Sequence, residues 1–172
     1  MDAPAGGDAE KPDDGLKEDA WRRLVEVVSA ASRGDVDGHA RALMSWRGEV
    51  PLAGQQHAGA YLLYLLFRTV KTIIGTQPTP TDLHVLAMSN FAAFHKFVGA
   101  ERVQLEDTYR RAFSLPMLRP PLNPVEFVIF GTVALGILLP DPVNDLESMR
   151  PALSAWLNRN REKFRSEGLP EA

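Results

Sequence analysis

Apolar side chains recur along most of the chain at the three- and four-residue spacing of an α-helix. One stripe of the first helix, for example, holds Trp21, Leu24, Val25 and Val28. Strict alternation of apolar and polar residues, which would indicate β-strands, is not sustained in any window bounded by turn residues. The pattern therefore predicts an all-α protein, folded as a single-domain bundle of about seven helices.

Capping and turn residues set the ends of these helices. Glycines stand where three helices end, at Gly34, Gly75 and Gly99. A polar cap followed by proline begins three helices, at Thr79-Pro80, Asn123-Pro124 and Asp141-Pro142. The seven helices are predicted at about 16–32, 35–46, 51–74, 80–98, 101–114, 124–139 and from 142 onward. We expect the last helix to break or restart near Pro151.

Two of the shorter helices have amphipathic patterns. The core-facing stripe predicted for the second helix is Val36, Ala40, Leu43 and Met44. In the fifth helix, two ion pairs at the i, i+4 spacing are predicted on the solvent side: Glu106–Arg110 and Asp107–Arg111. Both helices should therefore turn one face to the core and the other to water.

The third and sixth helices are strongly apolar on all sides. Residues 60–67 read AYLLYLLF, and residues 127–139 contain a single polar side chain. Such helices must be buried all round, and both are too short in apolar length for the roughly 20 residues of a membrane span. We predict that they pack against each other as the central pair, or that one of them also contacts a second protomer. Small residues in the sixth helix, Gly131, Ala134 and Gly136, predict a close contact with a crossing helix of the same chain or of a second protomer.

The third helix also carries a candidate binding surface. Five polar or aromatic residues share one narrow face: His57, Tyr61, Tyr64, Arg68 and Lys71. Tyrosine and arginine supply contact area together with hydrogen bonds, as partner interfaces and ligand clefts do. A simpler alternative is that the tyrosines belong to the core and that Arg68 only extends its charge to water. The pattern predicts a ligand- or partner-binding face.

Charge divides the chain into a tail and a helical domain. Residues 1–15 carry five acidic side chains, one lysine and no aromatic residue. Such a segment cannot bury enough apolar surface to offset its ordering entropy, which predicts a disordered acidic tail. The helical domain is expected at 16–168, followed by a short tail at 169–172. Because the rest of the chain is close to neutral, with 18 basic and 17 acidic residues, we do not expect it to bind nucleic acid.

Several chemistries lack sequence support. The chain has no cysteine and none of the phosphate-loop, dinucleotide, hydrolase-elbow or zincin motifs. None of its four histidines has an acidic residue three positions earlier. His84 and His95 lie on one face of the fourth helix about 16 Å apart, which is too far for both to bind one metal ion. We therefore expect no metal site, no cofactor and no catalytic residue that the sequence can name.

These observations favour a binding protein over an enzyme. The leading prediction is a protein–protein interaction or regulatory module that works as a homodimer, its partner being another protein or itself. The alternative is a helical small-molecule-binding protein that takes a small apolar ligand in a cleft beside the third helix. An enzyme assembled from separate helices stays open, although no spacing favours it. The chain start lacks the basic and apolar regions of a signal peptide, so a cytoplasmic location and no membrane partner are expected.

Overall fold

A computed structural model describes residues 18–49, 52–120 and 122–160, with the backbone alone for 47–49 and 52–57. The described residues form helices and no strand: α1 (Glu18–Ser32), α2 (Val36–Glu49), α3 (Leu52–Ile74), α4 (Pro80–Val98), α5 (Arg102–Ala112), α6 (Pro124–Leu138) and α7 (Pro142–Arg159). The prediction of an all-α bundle of seven helices is therefore confirmed. The acidic tail at 1–15 and the short tail at 169–172 lie outside the described residues.

Local capping chemistry explains most helix ends. At the start of α4, the Thr79 amide donates to Asp82 at 2.8 Å and the Asp82 amide donates back to Thr79 Oγ1 at 3.2 Å. The hydrogen bond from the Thr79 amide lowers the pKa of the Asp82 carboxyl below its usual value of 3.8. Asn123 and Glu126 form the same reciprocal cap on α6. At the other end of α4, Gly99 has a φ of +68°, a left-handed conformation that suits glycine.

Three helices differ from their predicted bounds or course. α2 extends to Glu49, and α5 is shorter than expected, at Arg102–Ala112. The predicted break in the last helix is wrong, because α7 continues through Pro151 to Arg159. Leu146 and Leu153 are fully buried on either side of the proline, so packing holds this segment helical despite the lost hydrogen bond.

The core forms around α3 and α6, which pack against each other. α1 packs against both of them and against α2 and α7, whereas α5 covers their other side and supports α4. The largest fully buried side chains come from five different helices: Trp21, Tyr61, Phe94, Tyr109 and Phe127. α4 therefore stands at the edge of the bundle and packs mainly on α5 and α6.

The buried face of α2 differs from its predicted stripe. Val36 and Met44 are exposed, and Met44 has 69% of its surface open to solvent. His39 and Trp46 are buried instead. The tight turn after α1 ends at Asp35, and the rotation that this turn imposes on α2 directs the face containing His39 towards α6. Ala40 of the predicted stripe is exposed as well, and only Leu43 packs against the core. The apolar spacing alone could not define the buried side of a helix whose hydrophobic residues are few.

Candidate functional site

The five residues of the predicted stripe on α3 do not share one surface. Tyr61 is fully buried, and Tyr64 is nearly so, with its ring 5.3 Å from that of Trp156. Arg68 and Lys71 are exposed near the end of the helix. The side chain of His57 lies outside the described part of the structure. The simpler alternative therefore holds for the tyrosines, which are core residues, and binding by Arg68 and Lys71 stays a prediction.

The small residues of α6 mark a helix crossing inside the chain. Gly131, Ala134 and Gly136 are all buried. A Cβ atom added at Gly136 would stand 2.7 Å from both Ala31 Cβ and the backbone nitrogen of Ser32. This contact is tighter than van der Waals packing permits, so only glycine lets α1 approach α6 this closely. Gly131 instead faces Leu62 and Leu66 of α3. The chain's own α1 and α3 therefore cover these two glycines, which do not offer a surface to a second protomer.

The outer face of α4 is exposed and uncharged. Val85 and Met88 each expose 57% of their surface, and Ser89 and Ala92 lie exposed on the same face. Residues 83–95 contain no Asp, Glu, Lys or Arg. Sequence reasoning missed this face because apolar residues occupy both sides of α4. The available signal was the missing charge, since a helix face in contact with water normally carries charged residues.

Four polar side chains meet where α4 and α5 pack together. Glu106 is 1% exposed, and its Oε1 accepts hydrogen bonds or ion-pair contacts from Arg110 at 2.9 and 3.0 Å. Its other oxygen lies 2.9 Å from His84 Nδ1, and Arg102 stands 3.9 Å from it. The prediction that Glu106 faces solvent is therefore wrong, although its pairing with Arg110 is confirmed. The carboxylate fixes α5 to α4 from a buried position.

Asp107 also lies on the buried side of α5. It is 1% exposed, and its two oxygens accept hydrogen bonds from the backbone amides of Leu118 at 2.7 Å and Arg119 at 3.3 Å. Arg111 instead donates to the carbonyl of Leu122 and stacks 4.9 Å over the ring of Phe127. The prediction that Asp107 faces solvent is therefore wrong, and these contacts of Asp107 and Arg111 hold the segment between α5 and α6.

A buried histidine joins α2 to α6. His39 is 4% exposed, and its Nε2 lies 2.9 Å from Thr132 Oγ1. Because the Thr132 hydroxyl donates to the carbonyl of Val128 at 2.9 Å, we assign the proton to Nε2, which donates to Thr132. The ring of Phe97 meets the imidazole edge to face at 5.2 Å. Burial lowers the pKa of His39 from 6.5 to about 4, so the side chain is neutral near pH 7.

A groove of about 420 Å³ lies between α1 and α2, next to the start of α7. Its apolar wall consists of Val25, Ala30, Ala42 and Val143. Arg33 and Arg41 also line it, as does Ser29. The predicted cleft was placed beside α3, so this groove is a different location. The sequence signal available for it was a pair of arginines on either side of the turn that joins α1 to α2.

The described side chains include no group of three or more histidine, aspartate or glutamate residues arranged to hold a metal ion. Within the same part of the chain, no single helix has both the length and the apolar composition needed to cross a membrane; α6 and α7 meet the test only as a pair bent by 111°. Comparisons with models of protein families, with curated proteins and with solved structures found no match.

Proposed function

We propose that the protein is an interaction or regulatory module that works as a homodimer, joined through the outer face of α4. The observation that carries this proposal is the exposed, uncharged surface of Val85, Met88, Ser89 and Ala92, which we call the α4 face. On the basis of the sequence, we also propose that the protein acts in the cytoplasm.

Energetics favour covering this face. Burial of apolar surface contributes about 25 cal/mol per Å². Val85 and Met88 are more than half exposed, so a partner that covers their side chains would gain this free energy on binding. Contiguous apolar surface on a folded protein commonly marks an interaction site, whereas single exposed apolar residues do not. The α4 face has two large apolar residues one helical turn apart, followed by the small residues Ser89 and Ala92.

The order of side chains on the α4 face suits a second copy of α4. In an antiparallel pair related by a two-fold axis between Met88 and Ser89, Val85 of one copy faces Ala92 of the other. Met88 then faces Ser89. Each large residue meets a small one, so the two helices can interdigitate closely, as a self-complementary two-fold interface requires.

Charge at the ends of α4 favours the antiparallel orientation. Asp82 lies in the first turn and Lys96 in the last turn. An antiparallel pair brings the Asp82 end of one helix to the Lys96 end of the other, and opposite helix-dipole ends meet as well. A parallel pair would bring like charges together. Exposed ion pairs add little affinity, at about 0–1 kcal/mol, so we assign them to orientation and assign the affinity to the apolar contact.

The test is sedimentation equilibrium of the full chain over a range of concentrations. We expect a reversible dimer, and we expect Met88→Glu to weaken its dissociation constant by at least about 100-fold, because an unpaired carboxylate would be buried in the interface. Met44→Glu is the matched control, since Met44 is an exposed methionine on α2. A chain that stays monomeric at about 100 μM, or a dimer that both variants weaken equally, contradicts the proposal.

A cysteine variant tests the orientation independently, because the chain has no cysteine of its own. The proposed two-fold axis passes beside Ser89, so Ser89→Cys should form a disulfide-linked dimer under mild oxidation. Ser148→Cys, at an exposed position on α7, serves as the control and should form the dimer much more slowly. Equal rates of cross-linking in the two variants would rule out an interface centred on Ser89.

A further inference from the structure

We infer that the groove between α1 and α2 binds a small ligand that combines an anionic head with an apolar body, with a medium-chain carboxylate as the simplest example. This site is separate from the α4 face and does not rest on the proposed dimer. The inference combines three features of the groove: its size and apolar wall, its unpaired cations and an unpaired hydroxyl.

Size and lining suit a small molecule. The groove is an open depression of about 420 Å³, and this volume lies in the range of roughly 300–1,000 Å³ typical of ligand pockets. Val25, Ala30 and Ala42 form its wall from two helices, and Val143 contributes a side chain from the start of α7. Val143 is 51% exposed, so an apolar ligand body in the groove would cover surface that now contacts water.

The lining of the groove carries more positive than negative charge. Arg33 and Arg41 are exposed, and within the described part of the chain neither guanidinium has a carboxylate within ion-pair distance. The one carboxylate in the lining, Glu26, already pairs with Arg23 at 2.9 Å. Two arginines beside an apolar wall therefore attract an anion, and guanidinium groups bind carboxylate or phosphate oxygens in a bidentate manner.

Ser29 supplies an independent observation. The residue is 9% exposed, and its hydroxyl has no hydrogen-bond partner among the described residues. An unpaired buried hydroxyl costs about 1–3 kcal/mol, so such a group calls for an explanation. Ser29 lines the same groove as the two arginines. Its oxygen is closed to solvent, so the inference requires a rotation about the Cα–Cβ bond before the hydroxyl can donate to an anionic oxygen beside Arg33 or Arg41.

The turn between α1 and α2 builds this arrangement. Gly34 has a φ of +68°, and the Asp35 carboxylate accepts a hydrogen bond from the Gly38 amide at 2.8 Å. A side chain at Gly38 would collide with that carboxylate, so glycine permits the cap. The resulting reversal of the chain brings Arg33, at the end of α1, and Arg41, in α2, to one groove. The cation pair is thus a product of the turn and not of either helix alone.

The first measurement is isothermal titration of the full chain with octanoate, with acetate and octanol as comparison ligands. We expect octanoate to bind more tightly than acetate, which lacks the apolar body, and more tightly than octanol, which lacks the charge. Octyl phosphate distinguishes a preference for phosphate from one for carboxylate. Binding of octanol as tight as that of octanoate would overturn the anionic part of the inference, and absence of octanoate binding at millimolar concentration would overturn it entirely.

Variants locate the site. Arg33→Ala and Arg41→Ala should each weaken octanoate binding by about three- to tenfold, because each removes one charged contact at a partly solvated position. Arg159→Ala, an exposed arginine at the end of α7, makes the same change in net charge and should leave binding unchanged. Arg68→Ala tests the alternative location beside α3. If Arg68→Ala weakens binding and the groove variants do not, the ligand lies beside α3 and the groove assignment is wrong.

Ala42→Leu provides a steric test. Ala42 is half-buried in the groove wall, so a larger side chain there should fill the groove and reduce binding while far-ultraviolet circular dichroism shows the fold intact. Binding should be the same in Met88→Glu, which alters only the α4 face. A loss of octanoate binding in Met88→Glu, with the fold intact, would contradict the independence of the two surfaces.

Discussion

Protonation of His39 should make the fold sensitive to mild acid. The imidazole is 4% exposed between α2 and α6, and its burial lowers the pKa from 6.5 to about 4. In the unfolded chain the same histidine titrates near 6.5. As the pH falls below 6.5, the unfolded state binds a proton that the folded state does not bind. The free energy of unfolding therefore decreases through this range, and the loss ends near pH 4, where folded His39 also protonates.

The size of the effect follows from the two pKa values. One unit of pKa corresponds to 1.36 kcal/mol, so a pKa lowered from 6.5 to about 4 gives a loss of about 3 kcal/mol between pH 7 and pH 4. For a domain of this size, with a typical stability of about 5–15 kcal/mol, that is a substantial fraction. Above about pH 8, His39 is neutral in both states and contributes no pH dependence.

The assay is urea unfolding from pH 4 to pH 7.5 for the wild-type chain, His39→Gln and the exposed-histidine control His95→Gln. Glutamine keeps a nitrogen that can donate to Thr132 but does not titrate. Carboxylates titrate equally in all three proteins, so the informative quantity is the difference between curves. Wild type should lose about 3 kcal/mol more than His39→Gln. Parallel curves for these two proteins would refute the assignment of a buried, neutral His39.

Three further predictions concern packing and buried polar groups. Gly136→Ala should destabilise the chain by about 1–3 kcal/mol, because the new Cβ would clash with Ala31. Gly131→Ala is the control and should be neutral or stabilising, because its Cβ would meet Leu66 at an ordinary 3.5 Å. Equal changes in the melting temperatures of the two variants would contradict this prediction. Tyr109→Phe should raise stability by about 1 kcal/mol because it removes a fully buried hydroxyl without a partner, and a lower melting temperature would count against it. Asp107→Ala should cost about 1–3 kcal/mol and speed amide exchange at residue 118; unchanged exchange there would be inconsistent with the proposed contact.

Helix ends were predictable because their causes lie within a few residues. The Thr79 and Asn123 caps each satisfy amides three positions away, and a proline at the first helical position fixes the backbone on the same short scale. The start of α4 and the start of α6 agree with the sequence prediction for this reason. The unbroken course of α7 through Pro151 could not be predicted in this way, because its cause is the packing of residues on either side against other helices.

The polar residues of α5 show a different limit. From the sequence, charges at i, i+4 spacing favour an exposed helix face, since isolated carboxylates rarely lie in a core. In the fold, Glu106 obtains partners from α4 as well as from its own helix, and Asp107 obtains them from backbone amides beyond the helix. Long-range partners are what make burial of a charge tolerable. A sequence pattern carries no information about such partners, so the face of α5 that holds Glu106 and Asp107 was wrongly predicted to be exposed.

The same reasoning explains why the sequence suggested a binding surface on α3, whereas the structure suggests surfaces on α4 and in the groove beside α1. Aromatic residues beside arginine are typical of interfaces, but they are equally typical of a core helix that ends at the surface. Tyr61 follows the second pattern, whereas binding by the exposed Arg68 stays a prediction. What distinguishes a binding surface is whether its side chains lack partners within the fold. Met88 lacks apolar neighbours on its outer side, and Arg41 lacks a carboxylate among the described residues. These properties exist only after the helices have packed, so only the assembled structure could identify them.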